Sequence, residues 1–271
     1  MTTDPTATSE LDPAAIKACC AASYSSDVIT LLLGPSYHPG GTQLTRRLLV
    51  ALAVSQGDRL VDVACGVGTT ALLAAQEFGA TVDGVDLSEA NTTLASGAAE
   101  AAGFADRASF HHGDAEALPL TDGGWDVVVC ECALCTFPDK TTAAREMARV
   151  LRPGGRVGIT DVAADPARLP AELTGIAAWV ACIADARTAQ GYRTLLELAG
   201  LRVTRIEQHT DALQRMISQI SGRLELLKII ASPRLEALGV DLTNTAPILD
   251  AARAAVHDGI LDYVLITAEK P

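Results

Sequence analysis

Arg59-Leu60-Val61-Asp62-Val63-Ala64-Cys65-Gly66-Val67-Gly68-Thr69-Thr70-Ala71 reads as a buried strand, a glycine turn and the start of a helix. Leu60, Val61 and Val63 supply the apolar strand residues, while Gly66 and Gly68 let the backbone bend sharply and approach a ligand closely. The run from Thr69 to Phe78 is rich in Ala, Leu, Gln and Glu, which favours helix. A helix N-terminus facing such a turn attracts negative charge, so a nucleotide-like or carboxylate-bearing ligand is expected there. By spacing alone, Gly66-x-Gly68-x-x-Ala71 also fits a dinucleotide fingerprint, with Asp86 near the position that meets a ribose.

Outward from this stretch the pattern repeats. Thr81 to Asp86 is the second strand, and Ser88 caps a helix over 89–102. A third strand is expected near 108–112 and a fourth from Trp125 to Glu131, where Val127, Val128 and Val129 form the continuous apolar run of a strand covered on both faces. Asp139 caps a helix over 140–150, and Arg156 to Thr160 is the fifth strand. Strands alternating with helices predict an α/β fold with a mostly parallel, doubly wound sheet. Upstream, residues 11–33 and Thr42 to Ser55 carry apolar groups at helical spacing, separated by the turn-rich Ser36 to Gly41. Downstream, Pro170 to Ala186 and Thr188 to Ala199 read as helical, and Gly200 is a suitable stop. Leu201 to Glu207 is a sixth strand, residues 211–258 are mainly helix-like, and Ile260 to Thr267 reads as a strand.

Three features decide against the dinucleotide reading. Asp62 sets a carboxylate at the end of the first strand, where a pyrophosphate would be repelled. Asp114 follows the third strand, after the acid Asp86. Arg149-Val150-Leu151-Arg152-Pro153-Gly154-Gly155-Arg156-Val157 is a helix end, a turn and a strand start. Together these segments resemble the class I S-adenosylmethionine-dependent methyltransferases, across roughly residues 45 to 207.

That resemblance implies a Rossmann-like methyltransferase fold with a seven-stranded sheet, whose final antiparallel strand inserts beside the sixth. Residues 1–57 then form an N-terminal helical cap, 58–210 the cofactor-binding core, 211–258 a helical insertion and 259–271 the final strand. It also implies S-adenosylmethionine as cofactor. Gly66 and Gly68 would lie against its methionine and ribose parts, Asp62 would orient the methionine end, and Asp86 would accept from the ribose diol. Asp114 and the backbone of Ala115 would hold the adenine amino group, with Leu87 and Glu131 beside the same site. Members of the family often carry glycine where this chain has Ala64.

Cys130-Glu131-Cys132-Ala133-Leu134-Cys135-Thr136-Phe137-Pro138-Asp139-Lys140 covers the end of the fourth strand and the loop after it. This segment resembles the corresponding loop of arsenite methyltransferases, with Cys132 at the matching cysteine. Trp179-Val180-Ala181-Cys182-Ile183-Ala184 resembles that family's later cysteine segment and makes Cys182 the partner, with Cys19 or Cys20 as a third thiol. Trivalent arsenic is soft and binds thiolates strongly, so Cys132, Cys182 and Cys20 (or Cys19) would hold the metalloid as catalytic ligands. Its lone pair attacks the sulfonium methyl without a general base, and glutathione or another thiol is the expected co-reactant. Cys130, inside an apolar strand, reads as core packing, and Cys132-x-x-Cys135 lacks the second pair that a zinc site requires.

The alternative is a small-molecule O-, N- or C-methyltransferase with residues 211–258 as a substrate lid. It needs a base for the acceptor proton, and His38 and Glu131 are the candidates. A thiol-rich sequestering protein would need no cofactor pocket, and the set Asp62, Gly66, Gly68, Asp86 and Asp114 argues against it.

Against 33 acidic residues stand 21 basic ones, a formal net charge of −12, which disfavours a nucleic-acid partner. No apolar run reaches membrane-spanning length, and Met1 to Glu10 has neither a basic region nor an apolar signal core. A cytoplasmic location and reduced thiols at all seven cysteines are therefore expected.

Overall fold

The computed structural model describes residues 17, 38–174, 183, 185–230 and 245–271. The expected helix over 11–33, with Cys19 and Cys20, lies outside the described residues apart from Lys17, and so do Trp179 and Cys182.

Seven strands form one sheet in the order β3-β2-β1-β4-β5-β7-β6. They are β1 Arg59–Val63, β2 Thr81–Asp86, β3 Ala108–His112, β4 Trp125–Glu131, β5 Leu151–Ala164, β6 Arg202–Gln208 and β7 Leu261–Glu269. β1 pairs in parallel with β2 and β4, and β7 runs antiparallel to both β5 and β6. The chain steps outward from β1 through β2 to β3, then returns to lay β4 on the other side of β1. That reversal opens a crevice at the carboxyl ends of β1, β2 and β4, the usual ligand site in wound sheets.

Among the described residues, helices include α1 Gly41–Ala51, α2 Thr69–Phe78, α3 Glu89–Ala102, α4 Lys140–Val150, α5 Ala189–Leu198, α6 Thr210–Ile230 and α7 Thr245–His257. Alternate residues of β1 explain the double winding: Leu60 packs with α1 and α2 on one face, and Val61 and Val63 with α4 and α5 on the other. α6 and α7 occupy the connection between β6 and β7 and pack on the α1–α2 face. Caps fix where helices begin. Ser88 accepts from the Asn91 N–H, Asp139 from Thr142 and Thr188 from Gly191.

Three expectations change. The helix expected over Thr42 to Ser55 is Gly41–Ala51, because Leu52 caps it and Ala53 turns to φ 50°. Of the helix expected over Pro170 to Ala186, the described residues show only a 3-10 turn, Ala171–Leu173, and Ile183 and Asp185–Ala186 are not helical. The fifth strand starts at Leu151 rather than Arg156, with the Pro153-Gly154-Gly155 segment arched inside it. Trp125 pairs with Leu151 and Val127 with Arg156, so β5 bulges between the two contacts. Lys270 pins the arch: its carbonyl accepts from the Gly154 N–H and its own N–H donates to Gly155, both at 2.8 Å.

Candidate active site

The turn after β1 is built from left-handed residues. Ala64, Gly66 and Gly68 have φ of 58°, 53° and 83°, and the Gly68 N–H closes the turn on the Cys65 carbonyl at 2.9 Å. The two glycines serve different ends. A Cβ on Gly66 would point into open space at the cavity wall, so this glycine leaves the backbone bare to a ligand. A Cβ on Gly68 would sit 2.9 Å from Phe110 Cζ and 3.0 Å from Ala95 Cβ, so this glycine lets α2 settle on the core.

Asp86 ties the turn to β2. Its Oδ2 accepts from the Gly66 N–H at 2.8 Å, while Oδ1 accepts from the Ser88 N–H at 2.8 Å and from Asn91 Nδ2 at 3.3 Å. With Asp114, Ala115, Leu87, Glu131 and Cys132 it lines one cavity, which His38 and Lys17 also border. Asp62 and Gly68 stand behind that wall. Asp62 is buried, and its Oδ2 finds no hydrogen-bond donor among the described residues. Burial pushes the Asp62 carboxyl well above the usual carboxylate range, and the nearby Glu131 and Asp86 charges add to this. Asp114 accepts from the Glu116 N–H and from Lys17 Nζ, at 2.9 and 2.7 Å. Burial opposes the Lys17 ammonium, but Asp114 and Glu116 outweigh it and hold its pKa above the usual value.

The opposite wall begins at Glu131. Thr70 donates to its Oε1 at 2.8 Å and Thr160 to its Oε2 at 3.1 Å. His38, in the turn before α1, brings Nδ1 to 3.9 Å from Glu131 Oε2. The other ring nitrogen, Nε2, meets Thr45 Oγ1 at 3.3 Å, and Nδ1 also faces the Pro39 carbonyl at 3.2 Å.

Cys132 follows with φ 54°, its N–H bonded to the Thr160 carbonyl at 2.6 Å. Of the cysteines with described burial, Cys132 alone lines the cavity. Cys130 is fully buried, and burial, with Asp161 and Asp62 nearby, pushes its thiol up. Burial does the same to Cys65, and Cys135 lies in the core with its N–H on Asp161 Oδ2 at 2.9 Å. Among the described residues, no group of three or more His, Cys, Asp or Glu is placed to hold a metal ion. Cys182, Cys19 and Cys20 lie outside these residues, so their relation to Cys132 is not described.

This cavity suits a nucleoside carrying a cationic amino-acid tail. Gly66 offers bare backbone, Asp86 and Asp114 offer acceptors, and the buried Asp62 oxygen lacks the donor that an ammonium would supply.

The comparisons agree. The Methyltransferase domain family matches residues 61–159. The 27-O-demethylrifamycin SV methyltransferase of Amycolatopsis mediterranei is 31% identical, over 91% of this chain and 94% of its own. An arsenite methyltransferase of Aquipseudomonas alcaligenes is 36% identical, over 55% of this chain and 45% of its own. The solved structure of the [4+2]-cyclase SpnF superposes with a TM-score of 0.72 at 22% identity, covering 93% of each chain, which shows the fold. The chain belongs to the class I S-adenosylmethionine-dependent methyltransferases. Its cofactor is S-adenosylmethionine.

Sequence reasoning did not single out Asn91, Thr70, Thr160 or Lys17. Thr70 was open to it, as the second residue of a helix facing the site. Thr160 was not, because its neighbours come from two other strands.

Proposed function

We propose that this methyltransferase methylates a hydroxyl group of a small, largely apolar organic acceptor, with His38 taking the proton. The carrying observation is the approach of His38 Nδ1 to within 3.9 Å of Glu131 Oε2 at the edge of the cavity. Apolar groups, among them Phe137, Pro138 and Ala133, supply the wall beside it. The near full-length alignment with an O-methyltransferase supports the same reading.

Gly66, Asp86, Leu87, Asp114 and Ala115 would hold the cofactor, with Asp62 buried behind them toward its methionine end and Gly68 shaping the turn. When bound, S-adenosylmethionine supplies an electrophilic methyl on a sulfonium sulfur. Thr45 Oγ1 donates to the Gly41 carbonyl at 3.5 Å and meets His38 Nε2 at 3.3 Å, which steadies the ring. At the cavity edge the His38 imidazole would take the proton of the acceptor hydroxyl. The imidazolium charge so formed would face Glu131.

A second reading, methylation of thiol-bound trivalent arsenic, is favoured by Cys132, whose thiol borders the same cavity. The partial alignment with arsenite methyltransferases supports it, and glutathione would be its co-reactant.

One experiment separates the two. Methyl-labelled S-adenosylmethionine is incubated with 27-O-demethylrifamycin SV and a panel of hydroxylated small molecules, and in parallel with arsenite in excess glutathione. Label in an organic ether, lost about 100-fold or more in H38A and retained in C132S, is the expected result. Label in methylarsenicals, lost in C132S and kept in H38A, would overturn it in favour of the metalloid.

A further inference from the structure

Glu131 is held by more than its neighbours on the cavity wall. Its Oε2 receives the Thr160 hydroxyl at 3.1 Å, and Thr160 Oγ1 in turn receives the Tyr263 hydroxyl at 3.1 Å. Thr160 lies on β5 and Tyr263 on β7, and both are fully buried. The chain of bonds has one direction. Each hydroxyl owns a single proton, so a Tyr263 proton spent on Thr160 leaves the Thr160 proton for the carboxylate. Burial raises the Tyr263 phenol well above its usual value, helped by Cys132, Glu131 and Asp161, so Tyr263 stays a donor throughout the working pH range. The Tyr263 ring packs in the α1–α2 face of the core.

We infer that Thr160 and Tyr263 are positioning residues that aim the Glu131 carboxylate at His38, so that the final strand of the sheet takes part in acceptor activation. The inference rests on the His38–Glu131 reading given above. Among the described residues, the titratable groups that face Glu131 include His38, Asp62, Cys130 and Tyr263. Thr70, on α2, holds the other oxygen and is independent of the relay.

The test reads Glu131 directly. In protein labelled with 13C-carboxyl glutamate, the Glu131 band is isolated as the infrared difference between wild type and E131Q. T160V removes the hydroxyl at nearly constant volume, T160S keeps it, and Y263F keeps the ring. The band is expected to shift in T160V and, by less, in Y263F, and to stay at the wild-type frequency in T160S. Y263F should add nothing on top of T160V, because it acts only through that hydroxyl. Turnover on whichever hydroxyl acceptor is identified should fall about tenfold in T160V and about threefold in Y263F, with S-adenosylhomocysteine affinity unchanged. A Glu131 band unmoved in both T160V and Y263F overturns the relay. A shifted band with unchanged turnover keeps the relay and overturns His38–Glu131 as the proton-accepting pair.

Discussion

Ala64 holds φ 58° in the turn that lines the cavity, a conformation that costs an L-residue about 1–2 kcal/mol relative to a right-handed one. Glycine at this place would avoid that strain, which here is stored in the turn. Ala64→Gly is therefore expected to stabilise the protein by about 0.5–1 kcal/mol, the relief being partly offset by the freedom glycine adds to the unfolded chain. Urea unfolding checks the sign. Gly68→Ala should act the other way, by about 1–3 kcal/mol, since its Cβ would press on Phe110 and Ala95 at a φ of 83°. At this scale much of the site was legible in the sequence. Gly66, Asp86, Asp114 and Glu131 stand at strand ends, and the alternation of strand and helix gave away those ends. The depth of Asp62 was not legible, because it depends on how the turn folds over that residue. Nor was the meeting of His38 with Glu131, which follows from the loop at 38–41 folding back toward β4.

Among the elements, the loop between β4 and α4 is the one whose shape the site depends on. The bonds that hold it include Cys132 N–H to the Thr160 carbonyl, Cys135 N–H to Asp161, Asp139 N–H to Glu116, and Lys140 Nζ to the Phe137 carbonyl at 2.9 Å. Lys140 is buried and also pairs with Asp185, so it clips the loop to the segment that follows β5. Lys140→Met keeps the aliphatic stem and loses both contacts. It is expected to destabilise the protein by about 1–3 kcal/mol, less than for a fully buried pair because Asp185 remains partly solvated. Thermal melts with and without S-adenosylhomocysteine would show it, and a loss below about 0.5 kcal/mol would mean that the clip is idle. Strands and caps were readable here because their signals are local. The arch in β5 was not. Pro153-Gly154-Gly155 reads as a turn until Lys270, distant in sequence, is seen to pair with it.

For the molecule as a whole, two sets of carboxyls pull stability in opposite directions with pH. Arg149 lowers the pKa of Glu146, and the Thr142 hydroxyl and N–H lower that of Asp139. Groups lowered in this way stabilise the fold above the ordinary carboxylate range, and that support is lost as pH falls through their folded values. Asp62, raised by burial, does the reverse: its contribution is complete below the ordinary value and is lost as pH rises through its folded one. The ligand-free protein should thus lose stability below about pH 4, while Asp62 partly resists that loss. A cationic cofactor tail beside Asp62 favours its ionised form. Binding of S-adenosylhomocysteine at about pH 5 is therefore expected to release protons, seen as a calorimetric enthalpy that changes with the buffer's ionisation heat. An enthalpy independent of buffer would separate Asp62 from the methionine end.

Strand order has a consequence for biosynthesis. β7 lies between β5 and β6, so the sheet is a broken one until Leu261–Glu269 has been translated. The ribosome delivers β1 to β5 early and β6 soon after, yet β6 has no neighbour until the last strand slots in antiparallel to both sides. Until then the growing chain carries two open edges, and one of them belongs to the strand that bears Thr160. An open edge of this kind is where a growing chain can pair wrongly, and Thr160 gains its Tyr263 neighbour only in the late step that closes the sheet.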